Sequence, residues 1–346
     1  MSKHMTDSFE LSAFAWHSSD LYGTSIHEMK IFLNSVGVIA LVVLTVYLWS
    51  SYHKVRKQGR WLWTAWIGLC IIVTGEILLY SGVKVVSLYF TPLMWTGYTL
   101  LVDAVVFRIQ GQSLVFGRRK EFVALLPLSI GWWLIFELYN LHLRNWVYLG
   151  LPENIWARYW GYLWAYATIL PAIFETTGLI EALDLFSRQS HSPFPLSDSN
   201  LKTSAMVGFS MLILPLLLPT SVARYLFGMV WLGLIFAIEP INYKWGEPSL
   251  LRDTQKGRWQ RLLSLLLAGL VCGLLWEFWN FWAGARWMYT FPILQRYKIF
   301  EMPLPGYFGF PSFAVECYVL TQFSFGVMSK LGWARFPFSK EVLTNR

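Results

Sequence analysis

The chain has 346 residues, 55% of them hydrophobic and only 14% charged, with a mean hydropathy of +0.45. That balance excludes an ordinary water-soluble enzyme and reads as an all-α polytopic membrane protein. The net charge of +8 would point to nucleic acid in a soluble domain. Membrane topology accounts for most of the excess here, so no nucleic-acid partner is expected.

The first 30 residues are polar and mixed, without a basic stretch leading into an apolar core, so no cleaved signal peptide is expected. Apolar stretches then predict about nine transmembrane helices, at 31–52, 61–82, 88–107, 122–142, 160–183, 204–221, 223–243, 260–283 and 307–329. The sixth carries Pro215 and Pro219 and is expected to kink or to re-enter. Residues 187–203, Ser-rich with two prolines, read as a linker. The chain therefore divides into an N-terminal segment with the first helix (1–60), helices two to five (61–186), the linker, helices six to nine (204–330) and a tail (331–346). Alternating loops gather most of the Lys and Arg on one side, among them Arg118, Arg119, Arg252, Arg258 and Lys330. This places the N-terminus outside and the C-terminus in the cytoplasm, as in a bacterial inner-membrane protein.

The sequence repeats itself. Glu137-Leu-Tyr-Asn140, Trp146-Val-Tyr148 and Glu175 are matched by Glu277-Phe-Trp-Asn280, Trp287-Met-Tyr289 and Glu316. Tyr148 to Glu175 and Tyr289 to Glu316 both span 27 positions. Upstream, Trp95 precedes Asp103 by eight residues, as Trp231 precedes Glu239. With a nine-helix topology the two copies run in the same direction, as parallel pseudo-repeats with a shared interface suited to a cavity.

Carboxyl groups in apolar segments are costly and mark candidate sites. Desolvation disfavours the charged form of a buried carboxyl, and a neutral acid can donate a proton. Aromatic faces stabilise a cation by about 1–2 kcal/mol each when desolvated. An acid, an aromatic cage and a base are what cyclisation of a polyene requires. Glu175 and Glu316 are the expected proton donor and acceptor. Glu137 and Glu277 are further catalytic candidates. Asn140, Asn280, Trp146, Tyr148, Trp287, Tyr289, Asp103 and Glu239 are candidate substrate contacts. Structural roles stand beside these: Glu–Asn pairs as interhelical clamps, Trp-x-Tyr as interfacial anchors, and Asp103 and Glu239 as partners of Arg108 and Lys244. Glu76 is a further intramembrane acid without a counterpart in the other repeat.

Of the six histidines only His142 approaches an apolar segment, and no acidic cluster of the DDxxD type occurs. No metal and no cofactor are expected. Cys70, Cys272 and Cys317 lie in apolar stretches and read as core thiols.

The order Glu239, basic loop, Leu274-Leu-Trp-Glu277, Trp287-Met-Tyr289, Met302-Pro-Leu-Pro resembles the three-helix repeat of the membrane-integral lycopene cyclases. Asp103, Arg118-Arg-Lys120, Phe136-Glu137, Trp146-Val-Tyr148 and Pro171 follow the same order. The resemblance covers a little over half of the chain. The chain departs from it at the Pro-x-Glu-Glu motif, where Pro303-Leu-Pro-Gly306 stands. The resemblance implies a membrane enzyme acting on a carotenoid-like or other isoprenoid polyene by acid-catalysed cyclisation, isomerisation or hydration. Its partners would be a lipid-soluble isoprenoid substrate and membrane lipids. A proton- or cation-coupled transporter or lipid carrier, and a structural subunit of a membrane complex, are the alternatives.

Overall fold

The computed structural model describes residues 20–187 and 192–333, with side chains from residue 28. The expected features at 1–19, 188–191 and 334–346 lie outside the described residues. In chain order the helices are α1 (Asp20–Lys54), α2 (Trp63–Tyr80), α3 (Lys84–Leu88), α4 (Phe90–Gln110), α5 (Leu114–Gly117) and α6 (Arg119–Leu143). The strand β1 (Trp146–Leu149) precedes α7 (Ile155–Ala167) and α8 (Ile169–Ala182). Next come α9 (Asp198–Leu217), α10 (Thr220–Ala223), α11 (Phe227–Trp245), α12 (Leu250–Gln255) and α13 (Gln260–Trp282). The strands β2 (Arg286–Tyr289), β3 (Lys298–Ile299) and β4 (Met302–Pro303) follow, then a 3-10 turn at Leu304–Phe308 and α14 (Gly309–Lys330).

Among the described residues, seven helices are long and apolar enough to cross a membrane. The protein has the build of an integral membrane protein. They coincide with seven of the nine expected segments, α7 and α8 counting as one. The other two are the helices α11 and α14, which carry polar residues such as Glu239, Asn242, Glu316 and Gln322 inward and are not among the seven.

Several expected boundaries shift. The linker is shorter than 187–203, because Ser197 and Asn200 form a capping box that starts α9 at Asp198. The expected sixth segment is two helices: α9 ends at Leu217, and Pro219, lacking a backbone donor, stands before α10. The chain is also not purely helical. Each of α6 and α13 ends in a short strand, and the two pair antiparallel, Trp146 opposite Tyr289 and Tyr148 opposite Trp287. Because β1 leaves α6 and β2 leaves α13 within a few residues, the C-terminal ends of both helices lie at the same level.

Helix contacts are made close by glycine. A Cβ on Gly68 of α2 would lie 2.5 Å from the Gly97 carbonyl of α4, and one on Gly208 of α9 would lie 2.2 Å from the Ala237 backbone nitrogen of α11. Backbones approach this way where apolar solvent offers no drive for helices to associate and packing must supply it. The helix α1 stands at the edge, resting on α13 and on the β3–β4 hairpin, where the Phe300 amide donates to Asn34 at 2.8 Å. The core is aromatic: Trp95, Phe136, Tyr318 and Phe90 are fully buried.

Gly208→Val is expected to destabilise the protein by about 1–3 kcal/mol through overpacking against backbone. Gly131→Ala, where a Cβ meets nothing, should be neutral or stabilising. Reversible unfolding in detergent micelles checks both. Wild-type stability of Gly208→Val would contradict the close crossing.

Candidate active site

The site is organised by two asparagines. The Asn140 side chain, one turn beyond Glu137, donates to the Trp146 carbonyl at 2.9 Å and accepts from the amides of Asn145 (2.8 Å) and Trp146 (3.1 Å). The Asn280 side chain donates to the Trp287 carbonyl and accepts from the Trp287 amide, both at 2.9 Å. A carboxamide can do this because it offers a donor and an acceptor at once. Each helix thus holds the strand that follows it. With alternation along a strand, Trp146, Tyr148, Trp287 and Tyr289 share the inward face while Val147 is exposed.

These four side chains line a cavity of ≈ 120 Å³. Its wall is mostly aromatic, with Trp95, Trp133 and Trp276 at the sides and Phe310 and Phe313 at the buried end. Trp95 meets Trp276 edge-on at 5.4 Å, and Phe313 packs 6.0 Å from both Trp133 and Trp276.

Two carboxyl groups stand one layer behind the wall. Glu137 Oε1 accepts from the Tyr148 hydroxyl (2.5 Å) and the Trp133 indole (2.9 Å), with Trp146 (3.3 Å) and Tyr166 (3.4 Å) farther off. Glu277 Oε1 accepts from the Tyr289 hydroxyl at 2.9 Å, and that hydroxyl accepts from the Trp287 indole at 2.9 Å. Glu277 Oε2 is buried and has no hydrogen-bond partner among the described residues. Burial first, then Tyr166 and Glu137, raises the Tyr148 phenol well above its usual range. Burial and the Glu277 charge do the same for Tyr289. Both phenols therefore keep their protons and serve as donors. Each links a carboxyl to the cavity.

The other candidates lie elsewhere. Asp103 Oδ1 accepts from the Val115 amide at 2.8 Å, beside Ser113, the N-cap of α5. Glu239 Oε1 accepts from the Leu251 amide (2.9 Å) and the Ser249 hydroxyl (2.7 Å), and Ser249 is the N-cap of α12. Both acids thus hold the short helix of the next loop. Of the basic partners considered for them, Lys244 pairs with Asp198 and Arg108 donates to the Gly59 carbonyl. Glu175 is buried beside Asp103 with Arg118 near. Glu316 is fully buried on α14, and neither of its oxygens has a partner within the chain. None of these four lines the cavity, and Asn140 and Asn280 reach it only through the strands they hold. Glu76 accepts from the Trp279 indole at 3.2 Å. His142 bonds the Leu218 carbonyl.

Several cavity residues carry no repeat signal in the sequence. Tyr162 and Tyr166, a turn apart on α7, stack at 5.7 Å; Tyr166 is matched by Tyr307, eighteen residues after Tyr289 as Tyr166 is after Tyr148, and Tyr162 by no tyrosine. Trp133 and Phe313 fall opposite Gly273 and Ala172 of the other copy, and Trp276 opposite another aromatic residue, Phe136.

Comparison with family models, with characterised proteins and with solved structures gave no match.

Asn280→Leu is expected to orphan the amide and carbonyl of Trp287, at about 1–3 kcal/mol for each buried group left unpaired. Hydrogen exchange at the 286–289 amides should quicken in this variant, with the 146–149 amides following. Unchanged exchange would remove Asn280 from its role as the clamp.

Proposed function

We propose that the protein is a membrane enzyme acting on an isoprenoid polyene by acid-catalysed cyclisation, isomerisation or hydration in the aromatic cavity. What carries the reading is one arrangement: two phenol–carboxyl pairs, Tyr148–Glu137 and Tyr289–Glu277, on one face of a two-stranded sheet that covers an aromatic hollow. A redox-neutral cyclisation needs one proton added and one removed at the same site. Glu277, with a buried unpartnered oxygen, suits the donor, its proton reaching the cavity through Tyr289. Glu137, on which several donors converge, suits the acceptor, through Tyr148. Protonation of the double bond that lies beside the phenols leaves a carbocation, a neighbouring double bond attacks it, and loss of a proton to the second pair closes the ring with no net change of atoms. Trp95, Trp133 and Trp276 shelter the cation.

The same proposal takes α11 and α14 as spans, giving nine, and the two halves as parallel repeats. Its support is that matched residues make matched bonds: Asn140 and Asn280 to their strands, Tyr148 and Tyr289 to their acids, Asp103 and Glu239 to the loop twelve residues on. A proton- or cation-coupled carrier is the second reading. It is favoured by Glu175 and Glu316, buried acids away from the cavity with unpartnered oxygens.

The test is expression in a lycopene-accumulating bacterium, whose membranes hold the pigment and its prenyl precursors. The lipid extract is separated by chromatography and weighed by mass spectrometry. A new isomer or hydrated product is expected, lowered about 100-fold or more in Glu277→Gln and in Tyr289→Phe. Product at wild-type level in Glu277→Gln would refute the donor assignment. Loss of product in Glu175→Gln alone would move the chemistry to the inner acids.

A further inference from the structure

The cavity has two ends that differ in chemistry. Phe310, Phe313 and Trp95 form a buried apolar end. The opposite rim is made by Leu151 and Pro152, in the turn after β1, and by Ala285 and Arg286 at the start of β2. These two segments meet because Arg286 pairs with Leu149 across the sheet, and because Gly150, at φ 66°, lies against the Gly284 carbonyl where any Cβ would clash. The rim is only partly buried, while the far end is closed.

Arg158 and Arg286 are the two cationic residues among those that line this largely apolar hollow. Arg158 donates through Nε and Nη2 to the Pro152 carbonyl, at 3.0 and 2.9 Å, which fixes its plane on the rim. It has no carboxylate within ion-pair distance among the described residues, although Glu153 stands on the same turn. Arg286 donates to the Phe281 carbonyl at 3.0 Å and forms an ion pair with Glu301 at 3.8 Å, so its charge is partly answered and Arg158 is the cation without a carboxylate partner. Lys298, whose ordinary basicity is lowered by burial, adds a third cationic side chain behind β2.

A separate observation marks the same end. Thr91 lines the cavity on the first turn of α4, and its hydroxyl is buried with no hydrogen-bond partner among the described residues. The adjoining Tyr89 donates to the Ala157 carbonyl at 3.0 Å, which sets the start of α4 against the residue before Arg158. A buried hydroxyl without a partner is uncommon and calls for an acceptor. Two planar guanidinium groups and a free hydroxyl donor are the donor set of an oxyanion.

We infer that the cavity takes an isoprenoid carrying an oxyanion head group, a phosphate or a carboxylate, held at the rim by Arg158, Arg286 and Thr91. The apolar chain then points inward between Tyr148 and Tyr289. This rests on the isoprenoid reading above and narrows it to an amphiphile, excluding an uncharged hydrocarbon as the preferred ligand.

The experiment measures equilibrium binding of geranylgeranyl phosphate, geranylgeranic acid and geranylgeraniol to the full chain in phosphatidylcholine nanodiscs. The phosphate and the acid are expected to bind at least about tenfold more tightly than the alcohol, the usual range for a charge-assisted bond. Arg158→Gln should abolish the preference, bringing the phosphate and the acid down to the affinity that the same variant shows for the alcohol. Arg158→Lys, which keeps the charge, should retain part of the preference and guards against a folding defect. Competition by dioleoyl phosphatidic acid as strong as by geranylgeranyl phosphate would reassign the rim to bilayer headgroups and overturn the inference. Equal affinity for all three probes would overturn it too, with the isoprenoid reading intact. Binding of none of them would remove the isoprenoid reading as well.

Discussion

Every polar group of the backbone has to be answered inside the protein when water is absent, and the ends of helices are where this is hardest. The structure meets that demand at one place by joining two helix ends. The strands β1 and β2 are four residues each, too short to be stable apart. Pairing satisfies one edge of each strand, and Asn140 and Asn280 tie the first residues back to α6 and α13. The register that results is self-complementary, Trp opposite Tyr and Tyr opposite Trp. It puts four rings on one face at the cost of no unpaired backbone at their centre. The cavity exists because that face cannot collapse onto Trp133, Trp276 and Phe313 without breaking the ladder.

The two halves share this framework and differ in what they do with it. Glu137 is partly exposed and draws several donors to one oxygen. Glu277 is fully buried, receives one phenol and leaves an oxygen unanswered. Matched positions in unlike surroundings are the usual way to give two carboxyl groups opposite roles. A duplicated scaffold starts with equal acids, and only the neighbours separate them. Here the neighbours are Trp133, Trp146, Tyr148 and Tyr166 on one side, and Tyr289 and Trp287, with Glu301 and Lys298 near, on the other.

The sequence made the repeated positions legible because carboxyl, Asn, Trp and Tyr stand out against an apolar background. Glu137, Asn140, Trp146 and Tyr148, with their counterparts, were visible for that reason, and they build the sheet and its acids. Spanning helices were legible from length and apolarity, except that α11 and α14 hide polar residues inward. Depth in a helix was a poor guide to the site. Glu175 and Glu316 sit mid-helix, yet the cavity forms at the helix ends, where the strands are. Pairing between β1 and β2 joins residues about 140 positions apart, and no local periodicity encodes such a contact. Arg158 and Arg286 carry no mark in the sequence, and it is the turn at Gly150 that brings them to one rim.

Charge is arranged along the hollow in an order that bears on how a guest would lie. Cations stand at the partly open rim, phenols at the middle, and the acids are held one layer back, so no carboxyl group lines the wall. Were the acids themselves exposed to the cavity, the two arginines would be drawn to them, since opposite charges attract strongly in a medium of low dielectric constant. The phenols prevent that collapse. They occupy the carboxyl groups with neutral donors, and Arg158, held by the Pro152 carbonyl and not by an acid, stands at the rim to face an incoming head group. A ligand anchored there presents its far end to Phe313 and its middle to Tyr148 and Tyr289. The position of reaction along the chain would then be set by the distance from rim to phenols, and an isoprenoid's repeating double bonds would be distinguished by their count from the anionic end.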